Sequence, residues 1–387
     1  MHFTIFNHKK LLLLIYLFLC LLIGIIIGLI KSHDKKMVSN TDIKSSQEIA
    51  INSESKEIPI PPSNLDENLE YSSTQVSAGS KHLSMLFLGY GGAGHDGGYL
   101  SDAMILAYLD VDKKKLALIH IPRDIWVNVK VGETEMPMKI NAALAMGTKT
   151  SNYPTTTVSK DAVLRASTLS KQAVTTVTGL PVDFVLGVDF NGFAPAIDSL
   201  GGIDINLKST FDDSWYPVKG RELELCGHSP EEVTAMSATM SGFTLEKQFP
   251  CRYEQLHFEA GSNHMDGQTV LKYSRSRHSS SDFARGLRQV NVILATINKL
   301  FSLKALPNIQ KFYTSISKSV KTDISVDQIT TITPILFTIP DVQVVEIGLD
   351  TTNVLTESKA SSGAFILISK EGDNNWEGVK SFVKSKI

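Results

Sequence analysis

Apolar and polar positions along this 387-residue chain fall into three regimes. Residues 11–30, LLLLIYLFLCLLIGIIIGLI, hold no charge and no proline. Twenty residues at helical rise span about 30 Å, the thickness of a bilayer's hydrocarbon core, so a transmembrane helix is expected there. From Lys31 to about Ser80 the chain is rich in Ser, Asn, Glu and Lys around Pro59, Pro61 and Pro62. That stretch offers nothing to build a core, and a flexible stalk is expected. Beyond it, LSMLFLGY, AMILAYLDV, LALIHI, VDFVLGVDF and IDINL are short apolar runs bounded by turn residues and predict buried strands. Further strands are expected near 342–348 and 363–369. Helical spacing predicts helices from Lys139, over Asp161–Val177, before Gly201-Gly202, from Met265, strongly over Asp282–Leu300, and near 308–320 and 325–337. Residues 212–262 follow neither period and are expected to be a surface excursion stapled by cysteines. Strands interleaved with helices imply an α/β fold, an α-β-α layered sandwich with a central mixed sheet. No linker interrupts residues 81–387, which are taken as one domain.

Lys9 and Lys10 precede the apolar run and Lys31, Lys35 and Lys36 follow it, so charge asymmetry does not orient it. The short stub of residues 1–10 favours an amino end inside the cell. The expectation is a single-pass plasma-membrane protein with its C-terminal domain extracytoplasmic. The run is long for a cleaved signal peptide, and no small-x-small site follows it. Cys20 lacks the small neighbours of a lipidation site and is expected to be buried in the membrane. In an oxidising compartment the remaining pair, Cys226 and Cys251, suggests a disulfide closing about 25 residues. Such a link stabilises by roughly 3 kcal/mol on the chain-entropy model; two unrelated thiols are the alternative. A formal charge of -2 argues against a nucleic-acid binder.

Arginine distribution changes the picture most. Only eight of the 38 basic residues are arginine, and four of these lie within 275–288. Arg275 and Arg277 are two apart, on one face if extended. Arg285, Arg288 and Gln289 are three and four apart on a predicted helix, with Asp282 as an N-cap or first-turn acid. Arginine's planar fork suits phosphate and pyrophosphate, although a structural ion-pair network would use the same residues. A second constellation is Asp102 at the start of one predicted strand and Arg123 just after the next. If those strands are antiparallel neighbours the two meet, with Asp102 able to bind a divalent cation or accept a proton and Arg123 to stabilise charge on phosphorus. His278 adjoins the arginines but is alone. Gly89-Tyr90-Gly91-Gly92-Ala93-Gly94 satisfies a dinucleotide-loop spacing, yet Gly97, Gly98 and another strand follow where a helix would be required. His and Cys do not reach zinc-ligand spacing, and no nucleophile elbow is present.

Taken in order, LFLGYGG…SDAMILAYLDVDKKKLALIHIPRD, KINAALAMG, TGLPVDFVLGVDFNGFAPAIDSLGGIDI, FEAGSNHMDGQTVLKYSRSRH and SDFARGLRQ resemble the LytR-CpsA-Psr family of cell-wall glycopolymer transferases over residues 83–300. The resemblance implies an α-β-α sandwich with an apolar groove for a lipid tail. It also implies transfer of a glycan phosphate from a polyprenyl-pyrophosphate carrier to a cell-wall hydroxyl, peptidoglycan being the expected acceptor, with Mg²⁺ or a similar cation assisting. On it, Asp102, Arg123, Arg275, Arg277, Arg285 and Gln289 fall on the pyrophosphate and metal site, and Asp282 and Arg288 in the same motif. Two positions depart from the family pattern. Gly91 stands where an acid is usual and Leu100 where an arginine is usual; Asp96 is the candidate replacement metal ligand. These departures keep a non-catalytic binder or regulator of lipid-linked glycans as an alternative, and water as acceptor would make the same site a pyrophosphate hydrolase.

Overall fold

A computed structural model of the chain describes residues 76–387 apart from 78, 93–94, 96, 133, 149–159, 277–281, 301, 303–307, 318 and 338–341. The apolar segment 11–30 and nearly all of the expected stalk lie outside the described residues, as do Asp96, Arg277 and His278.

The chain opens with strands β1 (His82–Tyr90), β2 (Ser101–Asp110) and β3 (Lys115–His120), a hairpin of β4 (Trp126–Val131) and β5 (Thr134–Lys139), and helices α1 (Ala142–Gly147) and α2 (Lys160–Thr178). Then come β6 (Phe184–Asp189), α3 (Phe190–Ser199), β7 (Ile203–Leu207), β8 (Phe211–Pro217), α4 (Pro230–Thr239), α5 (Gly242–Glu246), β9 (Tyr253–Phe258) and β10 (Gly261–Met265). Helices α6 (Gly267–Arg275), α7 (Asp282–Leu300) and α8 (Ile309–Ile316) precede β11 (Val320–Thr322), α9 (Val326–Phe337), β12 (Gln343–Gly348), β13 (Leu355–Lys359), β14 (Phe365–Ser369) and α10 (Glu377–Lys384).

The central sheet has the order β11-β6-β1-β2-β3-β12. Pairs β1–β2, β2–β3 and β6–β11 are antiparallel, whereas β1–β6 and β3–β12 are parallel. The sheet is therefore mixed, as the interleaved pattern implies. Period-two alternation sorts each strand between two cores. Leu86, Leu88 and Tyr90 of β1 join Met104, Leu106 and Ile119 on the face covered by α2 and α10, through Leu169, Val177, Val379 and Val383. The intervening Met85 and Phe87 turn to the opposite face, where Phe184 and Leu186 meet Ala196 of α3, Phe312 of α8 and Ile329 of α9. On that same face Ile105 and Leu118 pack on Val290 of α7. Burying each large side chain contributes roughly 1.5–3 kcal/mol. Helices on both faces of one sheet make the layered sandwich.

The apolar runs give no expectation for residues 126–139, yet they form the β4–β5 hairpin. Val127-Asn128-Val129-Lys130-Val131 carries the strand period, and its three valines are buried in the first core. The excursion at 212–262 is more regular than expected. β8 pairs with β9, β10 pairs with β7, and α4 is opened by Ser229 and Glu232 in a reciprocal capping box. Cys226 and Cys251 are disulfide-bonded, with Cα atoms 5.6 Å apart, between the ends of that hairpin. Polar faces hid these strands: in β8 only Asp213 is fully buried. The loop after Tyr90 leads into β2 with no helix among the described residues, as its glycines suggest.

Gly147 packs α1 on α2 so tightly that a Cβ there would lie 2.2 Å from the Ala166 Cα. Backbone cannot yield as a side chain would, so Gly147→Ala should cost about 1–3 kcal/mol in a urea-unfolding series. Gly79→Ala, in open space, should change nothing. On the β8–β9 hairpin, His257 bonds Asp212 at 2.7 Å and Glu259 at 2.9 Å, and those bonds, Asp212 first, raise its pKa. A raised folded value means the pairing is fully present below about pH 6.5 and is lost as pH climbs through the folded pKa. Ring-proton NMR should give a titration midpoint above 6.5 that falls back in Asp212→Asn.

Candidate functional site

The site forms where the ends of β2 and β3 meet the junction of α6 and α7. In the β2–β3 ladder Ile105 opposes His120, and the same register carried three residues further sets Asp102 opposite Arg123. The Ile121 N–H donates to the Met104 carbonyl at 3.0 Å, holding the two ends together beyond the ladder. Arg123 Nη1 donates to Asp102 Oδ1. Its Nε lies 3.5 Å from Asp124, whose other oxygen takes Lys139. The acid and arginine expected to meet do meet, each about a third exposed.

Helix α6 begins where Asp266 caps it, accepting the Thr269 N–H at 2.8 Å. Hydrogen bonds from Thr269 hold the Asp266 carboxyl below its usual pKa. At the helix's other end Arg275 lies over the Phe190 ring, 5.6 Å from its centre. Helix α7 brings in Arg285, which is 7% exposed, and Gln289 one turn later. Gly286 lets this helix reach the sheet: a Cβ there would fall 2.2 Å from the His120 ring. Asp102, Arg123, Arg275, Arg285 and Gln289 all line one cavity of about 1010 Å³. That volume suits a sizeable small-molecule ligand.

Arg288 does not line it. Its Nε donates to the Tyr273 carbonyl at 2.9 Å and its Nη2 to the Ser276 carbonyl, with the guanidinium 4.7 Å from the Phe211 ring centre. Burial lowers its pKa. The reason is angular. Positions 288 and 289 are about 100° apart on a helix, so Arg285 and Gln289 can share the cavity face while Arg288 turns away. Arg288 instead ties α7 to the end of α6. Ser276, between Arg275 and Arg277, donates its hydroxyl to Asp213, a buried carboxylate on β8 that also accepts the Trp215 N–H at 2.9 Å. The excursion thus anchors the residue that directly follows Arg275. Asp282 is the first residue of α7, and its side chain, like Asp96, Arg277 and His278, is outside what is described.

Several lining residues carry no signal in the sequence. His95 faces the cavity, edge-on to Phe190, and its Nδ1 accepts the Gly97 N–H at 3.1 Å. Tyr216, Lys219, Glu222, Glu254 and Lys272 line the side built from the excursion and α6. Burial raises the Tyr216 pKa, with Arg275 and Lys272 pulling it down. Lone residues in a segment without periodicity could be found only once β8 and β9 were paired.

The lining chemistry changes along the two helices. On α7, Arg285 and Gln289 give way to Val292 and Ile293, which join Phe87, Ile105 and Val188 of the sheet. On α6, Arg275 is followed, one and two turns back, by Lys272 and Gln268. The arginines stand where an apolar and a polar stretch meet. Among the described residues no group of three or more His, Cys, Asp or Glu side chains gathers that could hold a metal ion. Asp102 Oδ2 remains as one hard oxygen beside Arg123. A Mg²⁺ ion is ordinarily held by one or two carboxylates with waters and substrate phosphates, so the donor set fits an ion that arrives with a phosphorylated ligand.

A sequence profile of the LytR_cpsA_psr family matches residues 37–377. The polyisoprenyl-teichoic acid–peptidoglycan teichoic acid transferase TagV of Bacillus subtilis (strain 168) is 26% identical over 258 residues, 65% of this chain and 52% of TagV. TagU of Enterococcus faecalis, named for the same reaction, is 24% identical over 260 residues, 66% of each chain. The matched stretch thus spans about half to two thirds of these relatives' own length. Among solved structures, protein gbs0355 from Streptococcus agalactiae superposes with a TM-score of 0.52 at 19% identity, covering 79% of this chain and 88% of that one. B. subtilis TagV gives 0.50 at 22%, covering 79% and 97%. At these identities the structural likeness concerns the fold.

Replacing Arg288 by Met should cost roughly 1–3 kcal/mol, because two buried carbonyls lose their donor. Thermal unfolding would register the loss; an unchanged transition would mean that the guanidinium does not tie α6 to α7.

Proposed function

The chain belongs to the LytR-CpsA-Psr family, and from that premise we propose that it is a phosphotransferase that moves a glycan phosphate from a polyprenyl-pyrophosphate carrier onto a cell-wall hydroxyl, that of peptidoglycan. The apolar segment 11–30 would anchor it in the plasma membrane with the folded domain outside. The observation that carries the reading is the cavity with guanidiniums at the junction of an apolar and a polar stretch. An amphiphile with a lipid tail, a pyrophosphate and a sugar head needs those three environments in that order.

In this reading Arg123, Arg275 and Arg285 hold the bridging phosphates, with Arg277 reaching the same group. Preorganised cations neutralise charge that grows on the bridging oxygen as the bond breaks, and they need no reorganisation at that moment. Gln289 adds a polar contact, and Phe87, Ile105, Val188, Val292 and Ile293 take the first isoprene units out of water. Asp102 fixes the Arg123 fork and, with its second oxygen, would hold the divalent cation, with Asp96 as a further ligand. When bound, that ion supplies additional positive charge at the phosphates. The acceptor hydroxyl bonds to the glycan-bearing phosphorus, the bond from that phosphorus to the bridging oxygen breaks, and polyprenyl phosphate leaves. The hydroxyl proton passes to a general base.

The test uses the full chain in detergent with a short-chain polyprenyl-pyrophosphate oligosaccharide, Mg²⁺ and peptidoglycan fragments. Mass spectrometry should find polyprenyl phosphate and glycan joined to the fragments. Arg123→Ala and Arg275→Ala should each lower kcat/KM on the order of 10²–10³-fold. Free glycan phosphate would make the protein a hydrolase, and tight binding without release a carrier-binding protein.

A further inference from the structure

The loop after β1 is built around the ring of His95. The Gly92 N–H donates to the Gly98 carbonyl at 2.9 Å, the His95 N–H to the Gly92 carbonyl at 3.3 Å, and the Gly98 N–H to the His95 carbonyl at 2.8 Å. Asn191 of α3 ties this loop down, its amide donating to the Gly91 carbonyl at 3.2 Å. The imidazole fills the space that a Cβ at Gly91 would need, stands edge-on to Phe190 with ring centres 6.5 Å apart, and lines the cavity. Its Nδ1 accepts the Gly97 N–H at 3.1 Å, so that nitrogen presents a lone pair and the ring proton sits on Nε2. Among the described residues Nε2 has no hydrogen-bond partner.

We propose that His95 is a further binding residue for the lipid-linked donor, its Nε2–H donating to a non-bridging oxygen of the pyrophosphate. The inference rests on the phosphotransferase reading and adds to it a contact that carries no charge of its own. Its position supports it from two sides. A Cβ at Gly97 would meet Nδ1 of His95 at 3.4 Å and Oδ2 of Asp102 at 3.9 Å, so the ring and the Asp102–Arg123 pair flank one glycine. Across the ring, Phe190 lies against both His95 and Arg275, whose guanidinium is 5.6 Å from the Phe190 ring centre. Asp102 on one side and Phe190 on the other thus link the imidazole to two of the lining guanidiniums. A phosphoryl oxygen offers acceptors and no donor, the complement of an N–H set among cations. A carboxylate at position 91 would turn an anion toward that oxygen and need a cation between the two, whereas the imidazole N–H can meet it directly.

Two substitutions separate the donor from the loop that holds it. In His95→Gln the amide nitrogen takes the place of Nε2 and keeps a donor toward the cavity, while the bond from Gly97 is lost. In His95→Asn the amide oxygen takes the place of Nδ1 and keeps the bond from Gly97, with no donor at the cavity. The probe is a short-chain polyprenyl pyrophosphate, titrated against the full chain in detergent with Mg²⁺ present. His95→Asn should weaken its binding about tenfold or more, the ratio that one hydrogen bond to a charged group supplies, and His95→Gln by less than about threefold. A His95→Asn affinity equal to native would overturn the contact. So would the reverse order, or an equal loss in both variants, since each makes His95 a residue that only shapes the loop. If the native protein itself does not bind the probe, the phosphotransferase reading falls and the contact with it. If native protein binds and the two variants fail to separate in the stated order, only the contact falls.

Discussion

Three guanidiniums, those of Arg123, Arg275 and Arg285, line one cavity, and like charges in a partly dry space repel. Holding them there is the constraint on which the local structure depends. Asp102 takes Arg123, and the Phe190 ring faces Arg275, which also ends α6 where the helix dipole favours a cation. Arg285 enters from the other end of a helix: it is the fourth residue of α7, where the dipole favours an anion.

The surrounding contacts keep these charges from moving apart. Arg288 bonds two carbonyls at the end of α6, Gln289 reaches the Ser274 carbonyl at 3.4 Å, and Asp213 receives Ser276. The segment carrying Arg275 is thus gripped from α7 on one side and from β8 on the other. Gly286 against His120 and Gly267 against the Ala194 carbonyl set how closely α7 and α6 approach the sheet and α3. Neither glycine lies at a positive φ; each is small because backbone or ring occupies the place of a Cβ.

The central sheet was legible because each of its long strands is an apolar run with both faces buried. The meeting of Asp102 with Arg123 followed from antiparallel neighbours of known ends. Helix spacing gave Arg285 and Gln289 correctly as neighbours but could not say which of 288 and 289 faces the cavity, since that depends on where Phe211 and Tyr273 stand. Strands β8 and β9 were hidden by their chemistry. Asp212, Ser214, Tyr216, Glu254 and His257 break any apolar alternation, and the covered face between Phe211 and Leu256 itself carries the buried Asp213. For the same reason the polar wall of the cavity could not be read from the chain: pairing and a one-residue slip create it, and neither leaves a mark in composition.

Gly91, one of the two departures from the family pattern, takes on a different meaning in this setting. A Cβ at Gly91 would fall 2.4 Å from Cγ and Nδ1 of His95, so a side chain at 91 and the present place of His95 exclude each other. The Gly98 N–H bonds the His95 carbonyl at 2.8 Å, and the imidazole is seated where a side chain at 91 would stand. Gly92, at φ +82, makes the turn, with the Asp189 Cβ only 3.0 Å from where its own Cβ would be. What this exchange alters is charge. An acid near the arginines would offset them and offer a second hard oxygen to a cation, whereas an imidazole supplies no carboxylate oxygen for either role. Among the described residues Asp102, paired with Arg123, is the carboxylate that stands at this end of the cavity.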